Sequence, residues 1–240
     1  MVVFKCDGSF EGIFTAIFDA WKCDDVMIEV ESDSNMVLYG DFVEVITDIN
    51  KFTRVAKGLR KISEQAYYMA YLAAVSFNPD RADALYGFVK KCFMNGPEGA
   101  YDYHDKRVAK VNALFRNTEM EFWHYRGFLR FVQYDKFLLA KYDSDNDIIH
   151  LLADHFQDRL LQENFIIVDV KRQKAAVHRA NEDFFISDID INDVNSLKET
   201  EEETLIRRLY AKFTDTIGIE SRRNERLQRQ NMPLRYRKYM

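Results

Sequence analysis

The chain changes its period at Gly127-Phe128-Leu129-Arg130-Phe131-Val132-Gln133-Tyr134-Asp135-Lys136-Phe137-Leu138-Leu139-Ala140-Lys141-Tyr142. Just upstream, Val108, Val111, Phe115, Thr118, Phe122 and Tyr125 recur at spacings of three and four, the stripe of one long helix. From Phe128 the pattern becomes extended. Two apolar runs, 128–134 and 137–142, meet at a tight turn on Asp135-Lys136. Ser144 and Asp147 have the spacing of a capping box for a helix reaching Leu161. A second pair of runs, 165–170 and 175–179, closes across Lys171-Arg172-Gln173-Lys174. The order β-β-α-β-β predicts an antiparallel sheet with a helix on one face, an α+β arrangement rather than a doubly wound parallel sheet.

Toward the N-terminus the chain reads as mostly helical. Residues 2–5 form a short strand, and Ser9 is placed to cap a buried helix carrying Phe10, Ile13, Phe14, Ile17, Phe18 and Trp21. Residues 36–46 read as extended or as a hairpin, and Thr47-Asp48 offers a helix start. Between Lys51 and Ser76 one apolar face runs through Val55, Leu59, Ile62, Ala66, Met69 and Ala73. Asn78-Pro79 ends it, and a further helix from Asp80 stops at Asn95-Gly96-Pro97. Beyond the β-β-α-β-β unit, 188–195 reads as an acidic loop and 199–217 as a helix. The division expected is a mostly helical lobe, 1–125, and an α+β lobe with a C-terminal helix and basic tail, 126–240. No Pro/Gly/Ser-rich linker separates them, so the two are expected to be intimately packed, with a single domain as the alternative.

Composition narrows the classes of function. The chain has 240 residues, 47% hydrophobic and 14% aromatic, enough for a proper core and too apolar for a disordered chain. The longest mostly apolar stretch, 66–77, is too short to span a bilayer. No basic segment followed by an apolar run opens the chain, so no signal peptide is expected. Cys6, Cys23 and Cys92 are widely spaced, which excludes a disulfide framework and a CxxC metal site made by this chain alone. A reducing, cytoplasmic setting and no membrane partner are expected.

The net charge of −5 conceals an asymmetry. Between Ser221 and Met240, Arg222, Arg223, Arg226, Arg229, Arg235, Arg237 and Lys238 face a single acid, Glu225. The rest of the chain is acidic. A basic end suits a phosphate-rich partner, because Arg and Lys displace condensed counterions. It equally suits a tail folded back on the protein's own acids. Tyr236 and Tyr239 interleave with the tail's cations. In the extended reading of 126–134, Arg126, Phe128 and Arg130 share a face that could grip phosphates and stack bases, or pair with nearby acids. Glu121 and His124 lie one helical turn apart, as an acid–base pair or a plain surface pair. His155 borders an apolar stripe, with Arg159 one turn on. Asp143, Asp145 and Asp147 open like a calcium loop but lack its glycine and terminal glutamate, so a helix start is expected there and no metal.

The chain resembles the bacterial "probable DNA metabolism protein" family, a domain of unknown function. The resemblance begins at Asp7-Gly8-Ser9-Phe10-Glu11-Gly12 and continues through Glu121-x-x-His124-x-Arg126-Gly127-Phe128-Leu129-Arg130-Phe131 and Asp145-x-Asp147-Ile148. It goes on through His155-Phe156-x-x-Arg159 and Asp169-x-Lys171-Arg172 to Glu220-x-Arg222-Arg223-Asn224-x-Arg226 and Pro233-x-Arg235-Tyr236. It implies a neighbouring radical-SAM protein and a role in DNA repair or modification, and some relatives carry a uracil-DNA-glycosylase-like domain. Three readings follow. The favoured one is a nucleic-acid-binding accessory partner of a radical-SAM enzyme, using Arg126, Arg130, Arg159, Arg172, Arg222, Arg223, Asn224, Arg226, Arg235 and Tyr236. The chain itself then needs no cofactor, since it has no three-cysteine cluster motif. The second is an enzyme on damaged or modified DNA, with Glu121, His124, Asp147, His155 and Asp169 as acid–base groups. The third is a protein-interaction module without nucleic-acid contact.

Overall fold

The computed structural model describes residues 1–23, 25–31, 40–197, 200–217 and 224–239. The chain forms two compact units, Met1–Met120 with Asp145–Asp147, and Glu121–Ser144 with Ile148–Met240.

The first unit is built on a small parallel sheet. β1 (Val2–Cys6) lies between β2 (Val26–Val30) and β3 (Asp41–Glu44), parallel to both. β3 gives the extended reading of 36–46 over the part described, and residues 36–39 of that segment lie outside the described residues. α1 (Phe10–Asp19) follows β1 and is capped by Ser9, whose Oγ accepts from the Gly12 amide at 2.9 Å. Asp48 caps α2 (Ile49–Ile62), as its sequence position suggested. The single stripe read from Lys51 to Ser76 is two helices, α2 and α3 (Glu64–Ala74). Ser63 takes extended dihedrals and its side chain accepts from Ala66 N, so it ends one helix and starts the next without breaking the apolar spacing. α4 (Arg81–Asn95) stops at Gly96, whose φ of 67° suits glycine. These helices and the inner sheet face bury Ile13, Phe14, Leu59, Met69, Leu85 and Phe88.

The second unit begins in the last turns of α5 (Lys106–Phe128). Its five-stranded sheet runs β4 (Phe131–Tyr134), β5 (Phe137–Tyr142), β6 (Phe165–Asp169), β7 (Lys174–His178), β8 (Phe185–Asp188), in that spatial order. The α+β class stands, but the sheet is mixed. β5 and β6 are parallel, because α6 (Ile149–Arg159) lies between them in the chain and carries it back to the end where β5 began. The other neighbours are antiparallel. The two hairpins turn as expected, with Asp135 and Gln173 at positive φ. α7 (Ile191–Ser196) occupies ground that read as loop, and β8, whose residues 185–187 carried no reading from the sequence, ends at the first residue of that stretch. Alternation along β6 sends Phe165 and Ile167 toward Leu152 and Phe156 of α6, and Val168 to the opposite face with Val194 of α7.

Three local expectations are corrected. Arg126 and Phe128 belong to α5, not to a strand: the helix hydrogen bonding continues to Leu129 N on Tyr125 O at 2.8 Å. The expected capping box is absent, since α6 starts at Ile149 with Ile148 at its cap and no side-chain cap bond. The helix expected over 199–217 is α8 (Glu201–Ile217), but the basic tail beyond it, read without elements of its own, carries α9 (Glu225–Asn231) and a 3-10 turn at Leu234–Arg237.

Candidate nucleic-acid interface and acid–base cluster

The last two turns of α5 present two faces with different chemistry. At 100° per residue, Glu121, His124, Tyr125 and Phe128 fall on one side, and Trp123, Arg126 and Gly127 on the other. The inner side is an aromatic and hydrogen-bonded cluster. Tyr125 is buried, donates its hydroxyl to the Asp143 carbonyl at 2.5 Å, and meets Tyr142 and Tyr236 edge-on at 5.2 and 4.9 Å. Burial pushes its phenol well above the ordinary range, so it stays a donor. Glu121 is buried beside it.

His124 Nδ1 lies 3.2 Å from the hydroxyl of Tyr236, and its ring stacks on Phe128. Arg235 donates to the same hydroxyl at 2.6 Å. Burial lowers the His124 pKa, the Arg235 charge lowers it further, and Glu121 opposes. The imidazole is therefore neutral near pH 7. A guanidinium can only donate, so the Tyr236 hydroxyl accepts from Arg235 and lies within hydrogen-bond distance of Nδ1. This triad can pass a proton between a phenol and an imidazole. Tyr236 itself is only 3% exposed, so it anchors the basic tail in the core of the second unit.

Asp169 and Arg172, one an expected acid–base group and the other an expected phosphate ligand, serve the β6–β7 turn. Asp169 is fully buried and accepts from Arg172 N, Arg172 Nη1 and the Tyr142 hydroxyl at 3.1, 3.0 and 3.2 Å. Arg172 Nη1 also donates to the Ser144 carbonyl.

On the outer side, the Arg126 guanidinium lies 4.5 Å over the Trp123 ring, and Trp123 is 55% exposed. Just beyond the helix, Arg130 covers Tyr210 at 4.9 Å, with Tyr210 52% exposed. His155 is near Arg126 and Arg159. Burial and those two cations lower its pKa, against Asp158 and Asp154. Among the described residues its buried Nε2 has no hydrogen-bond partner.

The remaining expected residues are scattered in role. Asn224 caps α9, accepting from Leu227 N at 3.0 Å. Arg226 is exposed on α9. Arg237 donates to the carbonyls of Met232 and Gln228, and Lys238 pairs with Asp143 at 2.7 Å. Arg222 and Arg223 lie outside the described residues. Asp147 belongs to the first unit, where its amide donates to Val75 O at 2.9 Å. Among the described residues, no group of three His, Cys, Asp or Glu could hold a metal ion. Sequence reasoning missed Trp123, Tyr125, Tyr142 and Tyr210. Trp123 and Arg126 stand at i, i+3, a signal visible only once the segment is read as helix.

A family model described as a domain of unknown function, DUF4130, matches residues 79–240. The chain belongs to that family. The matched DUF4130 region contains α5 from its first residue, the whole second unit and every candidate residue above, while the opening Asp7–Gly12 block lies outside it. No curated protein matches the chain. Among the described residues, no helix is long and apolar enough to cross a membrane.

Proposed function

We propose that this DUF4130 protein binds nucleic acid through the outer face of its second unit and serves DNA repair or modification as the accessory partner of a radical-SAM enzyme. The observation that carries the reading is the pair of exposed arginine–aromatic stacks, Arg126 on Trp123 and Arg130 on Tyr210. Arginine meets phosphate as a donor fork, and an exposed aromatic offers a base a stacking surface. Exposed Arg226 and Arg229 on α9 add positive charge to the same unit. The resemblance to the DNA-metabolism family supplies the radical-SAM partner, which would bring its own cluster and S-adenosylmethionine.

The test is fluorescence anisotropy with labelled single- and double-stranded DNA across a salt series, followed by co-purification with the radical-SAM partner. Affinity that falls steeply with salt supports the reading. A stable complex with the partner and no DNA affinity, alone or together, leaves a protein-docking module instead.

One observation favours a second reading, an enzyme acting on damaged or modified DNA. The neutral His124, the Tyr236 hydroxyl and Arg235 form a proton-transfer geometry next to buried Glu121. Single-turnover assays on modified-base oligonucleotides would then lose product in His124→Gln while binding persists; an unchanged rate rules this reading out.

A further inference from the structure

Gly127 is the penultimate residue of α5, with ordinary helical backbone and an exposed position. Among the described residues, a Cβ placed on it would meet nothing within 4 Å. Other glycines of this chain have internal reasons. A Cβ on Gly12 would collide with the Asp7 carboxylate, one on Gly99 with the Lys91 carbonyl, and Gly8 and Gly96 adopt positive φ. Gly127 has none of these. Glycine weakens a helix more than any residue except proline, and nothing inside the fold requires it at this position.

The remaining physical use of a missing side chain is to let another molecule lie directly on the backbone. The neighbours of Gly127 on its face specify what that molecule is. Trp123 stands one turn back, and Arg126, the residue just before Gly127, stacks on it. Arg130 follows, and Arg159 with His155 lies near Arg126, with Asp154 and Asp158 as the nearby acids. An exposed indole beside guanidinium groups and bare backbone fits an anionic chain with free planar bases. A duplex keeps its bases stacked inside, so the fit is to a single strand.

We infer that a single-stranded nucleic acid crosses α5 at Gly127, its sugar–phosphate backbone resting on the helix where a side chain would obstruct it. One base extends the Trp123 stack, and Arg126 and Arg130 meet the flanking phosphates. The inference rests on the nucleic-acid reading above and gives it a place and a strandedness.

The experiment uses the full chain with Gly127→Ala, Gly127→Leu and Trp123→Ala, each melted and then titrated against a labelled oligonucleotide of about 15 nucleotides. Gly127→Ala is expected to melt about 2 °C above the wild type, since a helix former replaces glycine in open space. It is expected to bind about tenfold more weakly, and Gly127→Leu more weakly still, while Trp123→Ala loses about tenfold through the lost stack. Wild-type affinity in both Gly127 variants, with Trp123→Ala still impaired, overturns the crossing at Gly127 and leaves the nucleic-acid reading standing. A Gly127→Ala protein that melts below the wild type also overturns it, because the fold then needs the glycine. No binding by the wild type overturns the nucleic-acid reading and this inference with it.

Discussion

Residues 121–128 of α5 belong to one helix, yet its two sides answer to different demands. The inner side, with Glu121, His124, Tyr125 and Phe128, is held by Tyr236, Tyr142 and Asp143 and makes the core of the second unit. The outer side, with Trp123, Arg126 and Gly127, spends a large aromatic ring and a glycine on solvent, where neither stabilises the fold. The same division separates the arginines. Arg172 is tied to a buried carboxylate, whereas Arg126 and Arg130 lie on exposed rings. Arginine content alone says nothing about binding; what covers each guanidinium does.

If the comparison is right, substitutions on the inner side change stability and those on the outer side change affinity. The largest effect is expected for Asp169→Ala, which strands Arg172 in a largely buried site and should cost about 3–5 kcal/mol in urea unfolding. A loss below about 1 kcal/mol would break the structural assignment of that pair. Next comes Tyr236→Ala, expected to cost about 3 kcal/mol through the cavity it leaves, with Tyr236→Phe losing about 1 kcal/mol for the hydroxyl between His124 and Arg235. Equal losses in the two variants would mean that the ring contributes nothing.

Acidification should act in the same sense. His124 and His155 both have folded pKa values below the usual 6.5, so the unfolded chain binds more protons as pH falls. Their contribution is fully present above about pH 6.5 and is lost as pH drops through that value toward the folded pKa values. Melting temperature should therefore decline between about pH 7 and 5.5, and the decline should shrink when both histidines are replaced by glutamine. An identical decline in that double variant would assign it to other groups. The smallest stability effect is expected on the outer side, where Trp123→Ala should stay within about 0.5 kcal/mol of the wild type.

Much of this was legible from residue order. The turns at Asp135 and Lys171–Lys174, the caps at Ser9 and Asp48 and the stop at Gly96 all rest on local chemistry, and the structure keeps them. What failed depended on partners distant in the chain. Periodicity cannot tell that β5 pairs parallel with β6, or that β3 adds to β1. Ser63 splits a helix without disturbing its apolar stripe. The helix–strand boundary near Gly127 was misplaced because Phe128, Leu129 and Phe131 suit either period. The candidate site suffered most from that boundary: as a strand, the segment separates Trp123 from Arg126, and as a helix it stacks them. Tyr236 read as part of a charged tail because nothing local marks it as an anchor for His124 and Tyr125.

The most direct test of the division is the salt dependence of single-stranded DNA binding in wild type and in Arg126→Ala/Arg130→Ala. The outer-face account predicts an unchanged melting temperature and a slope of log K against log salt shallower by about 1.4, the loss of two phosphate contacts. An unchanged slope, or a wild type that does not bind, would contradict it.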